Sequence, residues 1–204
     1  MEFSQRNPLA PGFWDERFER GFTPWDRGGV PHALRSFVAR SARPLHTVIP
    51  GCGAGYELAY LSEAGWDATA IDFSPSAVAV AKAAVGKWAD RVLEADFFAW
   101  QPAQPPGLIY ERAFLCALPR AMWPQLAARY ASLLPPGGLL AGFFFFDDAV
   151  KGPPFGMAHA QLEALLTPHF TRIEDAAVDD SIPVFAGKER WQVWQRNQAL
   201  IGHP

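Results

Sequence analysis

The chain has little cysteine, no cluster of basic residues and no long apolar run, and each absence excludes a class of protein. Its 204 residues include two cysteines, Cys52 and Cys116, which lie in apolar surroundings and form no disulfide framework. No run of Lys or Arg stands out and the net charge is −3, which argues against a track for nucleic-acid phosphates. The longest apolar run, residues 139–146, is far too short to span a bilayer. With no apolar signal-peptide core near the N-terminus, the sequence predicts a cytoplasmic protein without nucleic-acid or membrane partners.

The most informative feature is a glycine-rich turn between an apolar strand and a helix. Gly51, Gly53 and Gly55 form a Gly-x-Gly-x-Gly motif, and Asp72 follows Gly51 by 21 positions at the end of a second apolar run. Glycines let the backbone approach a ligand, the helix N-terminus offers free N–H groups, and a carboxylate on the second strand accepts ribose hydroxyls. The layout therefore predicts a nucleoside-binding site.

The spacing of the glycines favours one nucleoside over another. Dinucleotide-dependent enzymes prefer Gly-x-Gly-x-x-Gly, whereas here the third glycine comes one residue early and Tyr56 stands in its place. The observed spacing resembles motif I of S-adenosylmethionine-dependent methyltransferases. Two alternatives stay open at this point: an NAD(P)-dependent oxidoreductase on a similar sheet, and a non-catalytic protein that binds a nucleoside cofactor. The five histidines show no metal-ligand spacing, so no metal is expected.

Alternation of apolar and helical segments predicts one α/β domain over residues 1–204. Within it, residues 1–45 are expected to form an N-terminal lid and residues 46–204 the catalytic core. The predicted strands are 46–50, 67–72, 91–94, 107–114, 139–146, 170–178 and 189–195. The predicted helices are 13–22, 31–40, 57–64, 75–85, 122–134 and 157–166. No helix separates the last two strands, so they should close the sheet as a hairpin with one antiparallel strand.

Several short segments together resemble the thiopurine methyltransferase family, to which the plant halide/thiol methyltransferases also belong. The segments are Phe13-Trp14-Asp15-Glu16-Arg17-Phe18, Thr23-Pro24-Trp25-Asp26, Ile49-Pro50-Gly51-Cys52-Gly53, Leu115-Cys116-Ala117-Leu118, Pro135-Pro136-Gly137-Gly138, Gly152-Pro153-Pro154-Phe155 and Glu189-Arg190-Trp191. They fall in the expected order between about residues 13 and 194. The resemblance implies a Rossmann-like, doubly wound, mostly parallel sheet of seven strands in the order 3-2-1-4-5-7-6. It also implies S-adenosyl-L-methionine as methyl donor, with S-adenosyl-L-homocysteine as product.

The resemblance assigns roles to residues of the glycine turn and the N-terminal lid. Trp14, Phe18 and Trp25 are expected to line the cofactor pocket from the lid, with Trp25 also facing the substrate. Gly51 would approach the methionine part of the cofactor, and Asp72 would hold the ribose. Ring faces attract cations, so aromatic walls suit a positively charged sulfonium.

Further along the chain, Asp96 and Phe97 are expected at the adenine, with Asp96 near its exocyclic amine. Arg112, at the end of the fourth strand, would lie between cofactor and substrate. Phe145 and Phe155, near the end of the fifth strand and in the following loop, are predicted walls of the substrate pocket because ligands in open α/β sheets bind at this edge.

The acceptor itself is left open by the sequence. Plant relatives carry a second Trp where Phe18 aligns and a tyrosine where Arg112 aligns, whereas Glu111-Arg112 is closer to the Asp-Arg pair of thiopurine enzymes. Methyl transfer from a sulfonium is an in-line displacement that depends on alignment. Arg112 stays protonated, so it would stabilise an anionic acceptor electrostatically rather than act as a base. A small thiol, thiopurine or halide is therefore expected, and the oligomeric state is not predicted.

Overall fold

The computed structural model describes residues 2–198, in which seven strands form one sheet and six α-helices flank it. The strands are β1 (Thr47–Pro50), β2 (Ala68–Asp72), β3 (Val92–Glu94), β4 (Leu108–Arg112), β5 (Leu139–Phe145), β6 (Phe170–Ala177) and β7 (Glu189–Arg196). The helices are α1 (Pro11–Glu19), α2 (His32–Arg40), α3 (Tyr56–Glu63), α4 (Pro75–Val85), α5 (Trp123–Leu133) and α6 (His159–Leu166). Met1 and residues 199–204, which the single-domain prediction includes, lie outside the described residues.

The strand order is β3-β2-β1-β4-β5-β7-β6, which confirms the predicted topology. β1 pairs in parallel with both β2 and β4, so the order reverses at this point of the sheet. β7 is antiparallel to both β5 and β6, as expected for a closing hairpin. In sheets of this kind the ligand crevice lies at the carboxyl ends of the strands where the order reverses, which is where the glycine turn follows β1.

Consecutive side chains of the central strands are buried on opposite faces of the sheet. Val48 and Ile109 join a core cluster with α5 and α6, whereas their neighbours Ile49 and Tyr110 join a second cluster with α2, α3 and α4. Burial on both faces explains why these strands read as continuous apolar runs. None of the helices within residues 2–198 combines the length and the apolar character that a membrane crossing requires.

The second helix, which lies within the predicted N-terminal lid or extension, packs against the core. Leu34 of α2 is fully buried, and the ring of Phe37 lies 6.2 Å from Trp66 and 5.7 Å from Trp191 between ring centroids. The amphipathic pattern located the helix correctly, but it could not indicate which surface would cover the apolar side. The part of the N-terminal segment that covers the cavity is therefore the stretch before α2.

The first helix is fastened to the start of α4 by a carboxylate. Asp15 Oδ1 accepts hydrogen bonds from Ser74 Oγ at 2.6 Å and from the backbone N–H of Ser76 at 3.0 Å. Ser74 Oγ in turn caps α4 by accepting the N–H of Ala77 at 3.1 Å, and Pro75 takes the first helical position, where no N–H is needed. α1 ends at Glu19 rather than at the predicted residue 22.

Strand β4 ends two residues earlier than predicted because the chain turns sharply. Ala113 adopts a φ of 58°, a left-handed conformation that is uncommon for a residue with a side chain. The buried carboxylate of Glu111 holds the turn by accepting the N–H groups of Phe114 at 2.8 Å and Leu115 at 3.0 Å. Its other oxygen accepts the hydroxyl of Tyr130. The turn thereby fixes the direction in which the end of β4 presents its side chains.

Gly142 in the middle of β5 provides a test of how tightly β4 and β5 are packed. An added Cβ would lie 1.9 Å from the carbonyl oxygen of Glu111 on β4, so Gly142→Ala must displace a central strand. We expect a loss of about 3 kcal/mol in the free energy of unfolding, measured by denaturant titration. Gly29→Ala is the matched control, because no atom lies within 4 Å of its added Cβ. Equal stabilities of the two variants would contradict this account of the sheet.

Candidate active site

A cavity of about 1000 Å³ opens at the carboxyl ends of β1, β2 and β4, where the strand order reverses. Ten of the twelve predicted site residues line it. These residues are Trp14, Phe18, Trp25, Gly51, Gly53, Gly55, Asp72, Asp96, Phe97 and Arg112. The volume lies at the upper end of the range for small-molecule sites, so the cavity has room for two ligands side by side.

The three glycines of the turn make room for different neighbours. All three have positive φ, at 59°, 52° and 73° for Gly51, Gly53 and Gly55. A Cβ on Gly51 would lie 2.4 Å from the ring of Phe114, and one on Gly55 would press on α4 at 3.2 Å. A Cβ on Gly53 would meet only Phe18, at 3.9 Å, and would otherwise project into the cavity. The turn therefore leaves an open cradle at Gly53, where a ligand can approach the backbone.

Asp72 joins the turns that follow β1 and β2. Its Oδ1 accepts the N–H of Ser74 at 3.0 Å and its Oδ2 accepts the N–H of Gly53 at 3.3 Å. Burial raises the pKa of Asp72 to about 6, outweighing these donors, and the nearby charge of Asp15 adds to the rise. The carboxylate also lines the cavity, so its remaining lone pairs can accept hydroxyl groups of a ligand.

An aromatic cluster covers the turn from the N-terminal side. The ring centroid of Trp25 lies 5.5 Å from that of Trp14 and 5.9 Å from that of Phe18, both in edge-on geometry. The indole N–H of Trp14 donates to the carbonyl of Pro8 at 2.9 Å, which fixes its orientation. The three rings form an apolar, electron-rich wall of the kind that accommodates a cationic group.

Arg112 is a nearly buried cation on the opposite wall. Its guanidinium lies 4.3 Å from the ring centroid of Phe143, and its Nη1 is 3.4 Å from Oε2 of Glu189. The hydroxyl of Ser181 donates to the other oxygen of Glu189 at 2.6 Å, so the acid is held in place. The adjacent Glu111 points to the other face of the sheet, as the alternation of strand side chains predicted. Arg112 therefore presents a positioned positive charge to the cavity.

Asp96 and Phe97 form the wall beyond β3. Asp96 is exposed and its Oδ1 accepts the N–H of Phe98 at 2.9 Å, closing a local turn. Phe97 is buried with its ring centroid 5.6 Å from that of Phe114 and 5.9 Å from that of Tyr130. Together they offer one polar rim group and one flat apolar surface.

Phe145 and Phe155 are not among the residues that line this cavity, and their role as walls of the substrate pocket stays a prediction. Both instead border a separate void of about 10 Å³. The ring of Phe145 packs at 5.5 Å against Phe185, which comes from the loop before β7 and takes the wall position. Phe155 donates its N–H to the carbonyl of Cys116 at 2.7 Å and packs against the core.

Several cavity residues escaped the sequence reasoning. Glu57, in the first turn of α3, is buried at the base of the cavity, and burial raises the pKa of its carboxyl group. Phe114 and Phe185 supply rings from loops that show no periodic pattern. In the sequence, the only indication was the acidic Glu57 at the start of an otherwise apolar helix. An acid at that position is equally consistent with a solvent-exposed helix face.

An ion pair at the rim of the cavity connects the loop that carries Trp25 to the loop before β7. Arg27, which lines the cavity, donates to the carboxylate of Asp180, and the same oxygen accepts the N–H of His32 at 2.9 Å. Within the part of the chain that the structure describes, His32, Asp179 and Asp180 form the group whose geometry could suit a metal ion. Because Asp180 is already engaged by Arg27 and His32, the ion pair accounts for this cluster.

Comparison with known proteins gives one family and several relatives. Residues 9–197 match the family described as thiopurine S-methyltransferase. The chain is 31% identical over 94% of its length to the probable thiol methyltransferase 2 of Arabidopsis thaliana, of which it covers 88%. It is 26% identical over 79% of its length to the thiopurine S-methyltransferase of Shewanella baltica, covering 84% of that protein.

Solved structures share the fold at low sequence identity. The 1,6-didemethyltoxoflavin-N1-methyltransferase of Burkholderia thailandensis, with bound 1,6-didemethyltoxoflavin and S-adenosylhomocysteine, superposes with a TM-score of 0.73 at 18% identity. That match covers 97% of this chain and 94% of the other. The magnesium protoporphyrin IX methyltransferase of Synechocystis with bound S-adenosylmethionine gives 0.70 at 14% identity, covering 96% and 100%.

The raised pKa of Asp72 predicts a specific dependence of stability on pH. Because burial raises this pKa from 3.8 to about 6, the unfolded chain releases the proton at a lower pH than the folded protein. Wild type should therefore lose stability relative to Asp72→Asn as pH rises from about 4 to about 7, by at most about 3 kcal/mol. Denaturant unfolding across this range measures the difference. Asp67→Asn, at a position whose side chain is 73% exposed, should show no such trend. A constant difference between wild type and Asp72→Asn would contradict the cost assigned to this carboxylate.

Proposed function

Because the chain belongs to the thiopurine S-methyltransferase family and is an S-adenosylmethionine-dependent methyltransferase, we propose that it methylates a small soft nucleophile such as a thiol, a thiopurine or a halide. Family membership decides against the NAD(P)-dependent oxidoreductase. The proposal depends mainly on one observation. The open space at Gly53 and the carboxylate of Asp72 lie side by side at the cavity, joined by a hydrogen bond. The bound cofactor supplies a methyl group on a sulfonium, and the protein has to orient the acceptor and exclude water.

We assign the ribose to Asp72, whose carboxylate borders both the glycine turn and the cavity. The adenine would lie at Phe97, with Asp96 at the rim to accept its exocyclic amine. Trp14 and Trp25 would then face the sulfonium region, where their edge-on packing presents aromatic surface to a cation. The family resemblance implies these placements, and the fact that all these residues line one cavity supports them.

Arg112 is the residue we assign to the acceptor. Its guanidinium remains protonated, so its charge would stabilise a thiolate or another anionic acceptor beside the methyl group. The ion pair with Glu189 and the ring of Phe143 hold that charge in one orientation. A thiolate needs no further general base, since it is already the reactive form.

The names of the relatives support the same class of acceptor. They include a thiocyanate methyltransferase of Arabidopsis thaliana, 29% identical over 92% of this chain, beside the thiol and thiopurine enzymes. Sulfur nucleophiles are common to all three. We also propose a cytoplasmic location, which suits the two free cysteines, and a small molecule as the partner.

Calorimetric titration with S-adenosylhomocysteine tests the site. Wild type should bind, and Asp72→Ala should weaken binding by about tenfold or more because the ribose hydroxyls lose a charged acceptor. Asp67→Ala, an exposed acid beside the same strand, should bind like wild type. Unchanged affinity of Asp72→Ala would place the nucleoside elsewhere.

A competition assay with thiols, a thiopurine, halides, selenols and tellurite then identifies the acceptor. Cofactor binding without methyl transfer to any of them would support the non-catalytic alternative.

Arg112→Met tests the acceptor-side role of the buried cation. We expect kcat to fall by about a hundredfold, because a positioned charge is lost, and the dissociation constant for S-adenosylhomocysteine to change much less. The substitution leaves Glu189 buried without its partner, so Arg112→Met/Glu189→Gln is the control that removes the orphaned charge. Loss of cofactor affinity with normal turnover in both variants would contradict the assignment.

A further inference from the structure

Glu57 is a buried carboxylate that no cation in the described structure contacts. It is 8% exposed and lines the base of the cavity beside the glycine turn. Among the ion pairs of residues 2–198, none involves Glu57. Its donors are its own backbone N–H and the hydroxyl of Tyr110, which lies 3.4 Å from Oε1, long for an O–H donor. The group therefore lies at the cavity without a cationic partner and with few donors.

Such an arrangement is costly unless a ligand compensates for it. Burial raises the pKa of Glu57, and the hydrogen bond from its own backbone N–H, the charge of Arg112 and the hydroxyl of Tyr110 oppose this rise without reversing it. Buried carboxylates are normally paired or saturated with donors, as Glu111 is by Phe114, Leu115 and Tyr130. Glu57 lacks an equivalent set of close donors, so its surroundings suit the arrival of a cationic group.

The position of Glu57 defines which part of a ligand could supply that cation. It follows the turn at Gly55 and lies in the first turn of α3, whose N–H groups create a positive potential that favours anions. An ammonium group approaching this turn would meet that unfavourable potential unless a carboxylate offset it. With its ribose at Asp72, which contacts Gly53, an adenosyl amino acid would extend its amino-acid portion along the glycine turn that precedes α3.

We propose that Glu57 is the counter-ion of the α-ammonium group of S-adenosylmethionine and S-adenosylhomocysteine, an inference that rests on the proposed function. The carboxylate would accept ammonium N–H donors in the charge-assisted geometry that Tyr110 alone does not provide. Glu57 would thereby distinguish the intact cofactor from adenosine derivatives that lack the amino-acid group.

Binding measurements with three ligands test this pairing. The ligands are S-adenosylhomocysteine, its deaminated analogue with hydrogen in place of the α-amino group, and 5′-methylthioadenosine. Glu57→Gln should weaken S-adenosylhomocysteine by about thirtyfold or more. It should leave the other two unchanged or slightly tighter, because neither carries the ammonium group. Glu63→Gln, the same substitution on the exposed end of α3, should change none of the three. Thermal unfolding of each variant checks that the fold is intact.

The outcomes separate a failure of this pairing from a failure of the proposed function. If wild type binds none of the three ligands, the cofactor site itself is wrong and the role of Glu57 falls with it. If wild type binds S-adenosylhomocysteine but Glu57→Gln weakens all ligands equally, the pairing is wrong while the methyltransferase site stands. Should Glu57→Gln fail to fold, wild type alone decides, because equal affinity for S-adenosylhomocysteine and its deaminated analogue overturns the pairing.

Discussion

The carboxylate of Asp72 is the constraint on which the shape of the cavity depends. It accepts one N–H from the turn after β1, at Gly53, and one from the turn after β2, at Ser74, so it couples the first two crossover connections of the sheet. Asp15 of the covering helix binds Ser74 through its side chain and so reaches the same junction. Burial raises the free energy of the ionised form of Asp72, as expected for a charged acceptor that is kept away from water.

Buried carboxylates around this edge fall into two physically distinct kinds. Glu111 and Glu189 are engaged on both oxygens, the first by two backbone N–H groups and a tyrosine, the second by Ser181 and Arg112. These acids define the turn after β4 and the direction of the arginine. Asp72 is likewise engaged on both oxygens, by the N–H groups of Gly53 and Ser74, and it also lines the cavity. Glu57 is the different kind, because its one side-chain donor among the described residues is the distant hydroxyl of Tyr110.

The sequence predicted the α/β class from apolar strands that alternate with helices, and the resemblance to a known family implied the strand order that the sheet has. Glycine spacing also located the turn after β1, beside which the cavity opens. The wall residues were harder, because Phe185 lines the cavity from a loop that has no periodicity, while Phe145 packs against it. The left-handed Ala113 was equally hidden, since it depends on the buried carboxylate of Glu111, which accepts the N–H groups of Phe114 and Leu115 within the fold. The helix at 31–40 was located, but its burial was set by distant rings such as Trp191.

Different interactions hold the sheet with its flanking helices and the stretch before α2 that covers the cavity, here called the cover. The sheet and its flanking helices are joined by apolar packing on both faces, which is cooperative and hard to open locally. The cover is instead fastened by polar contacts: Asp15 at the start of α4, and Arg27 with Asp180 at the rim. Contacts of this kind contribute little net stability when partly solvated, so the cover belongs to the part of the molecule with the lower local free energy of opening. The proposed binding of a ligand beneath Trp14 and Trp25 fits such a division, because the cover could then open for exchange while Asp72 and the glycine turn stay in place.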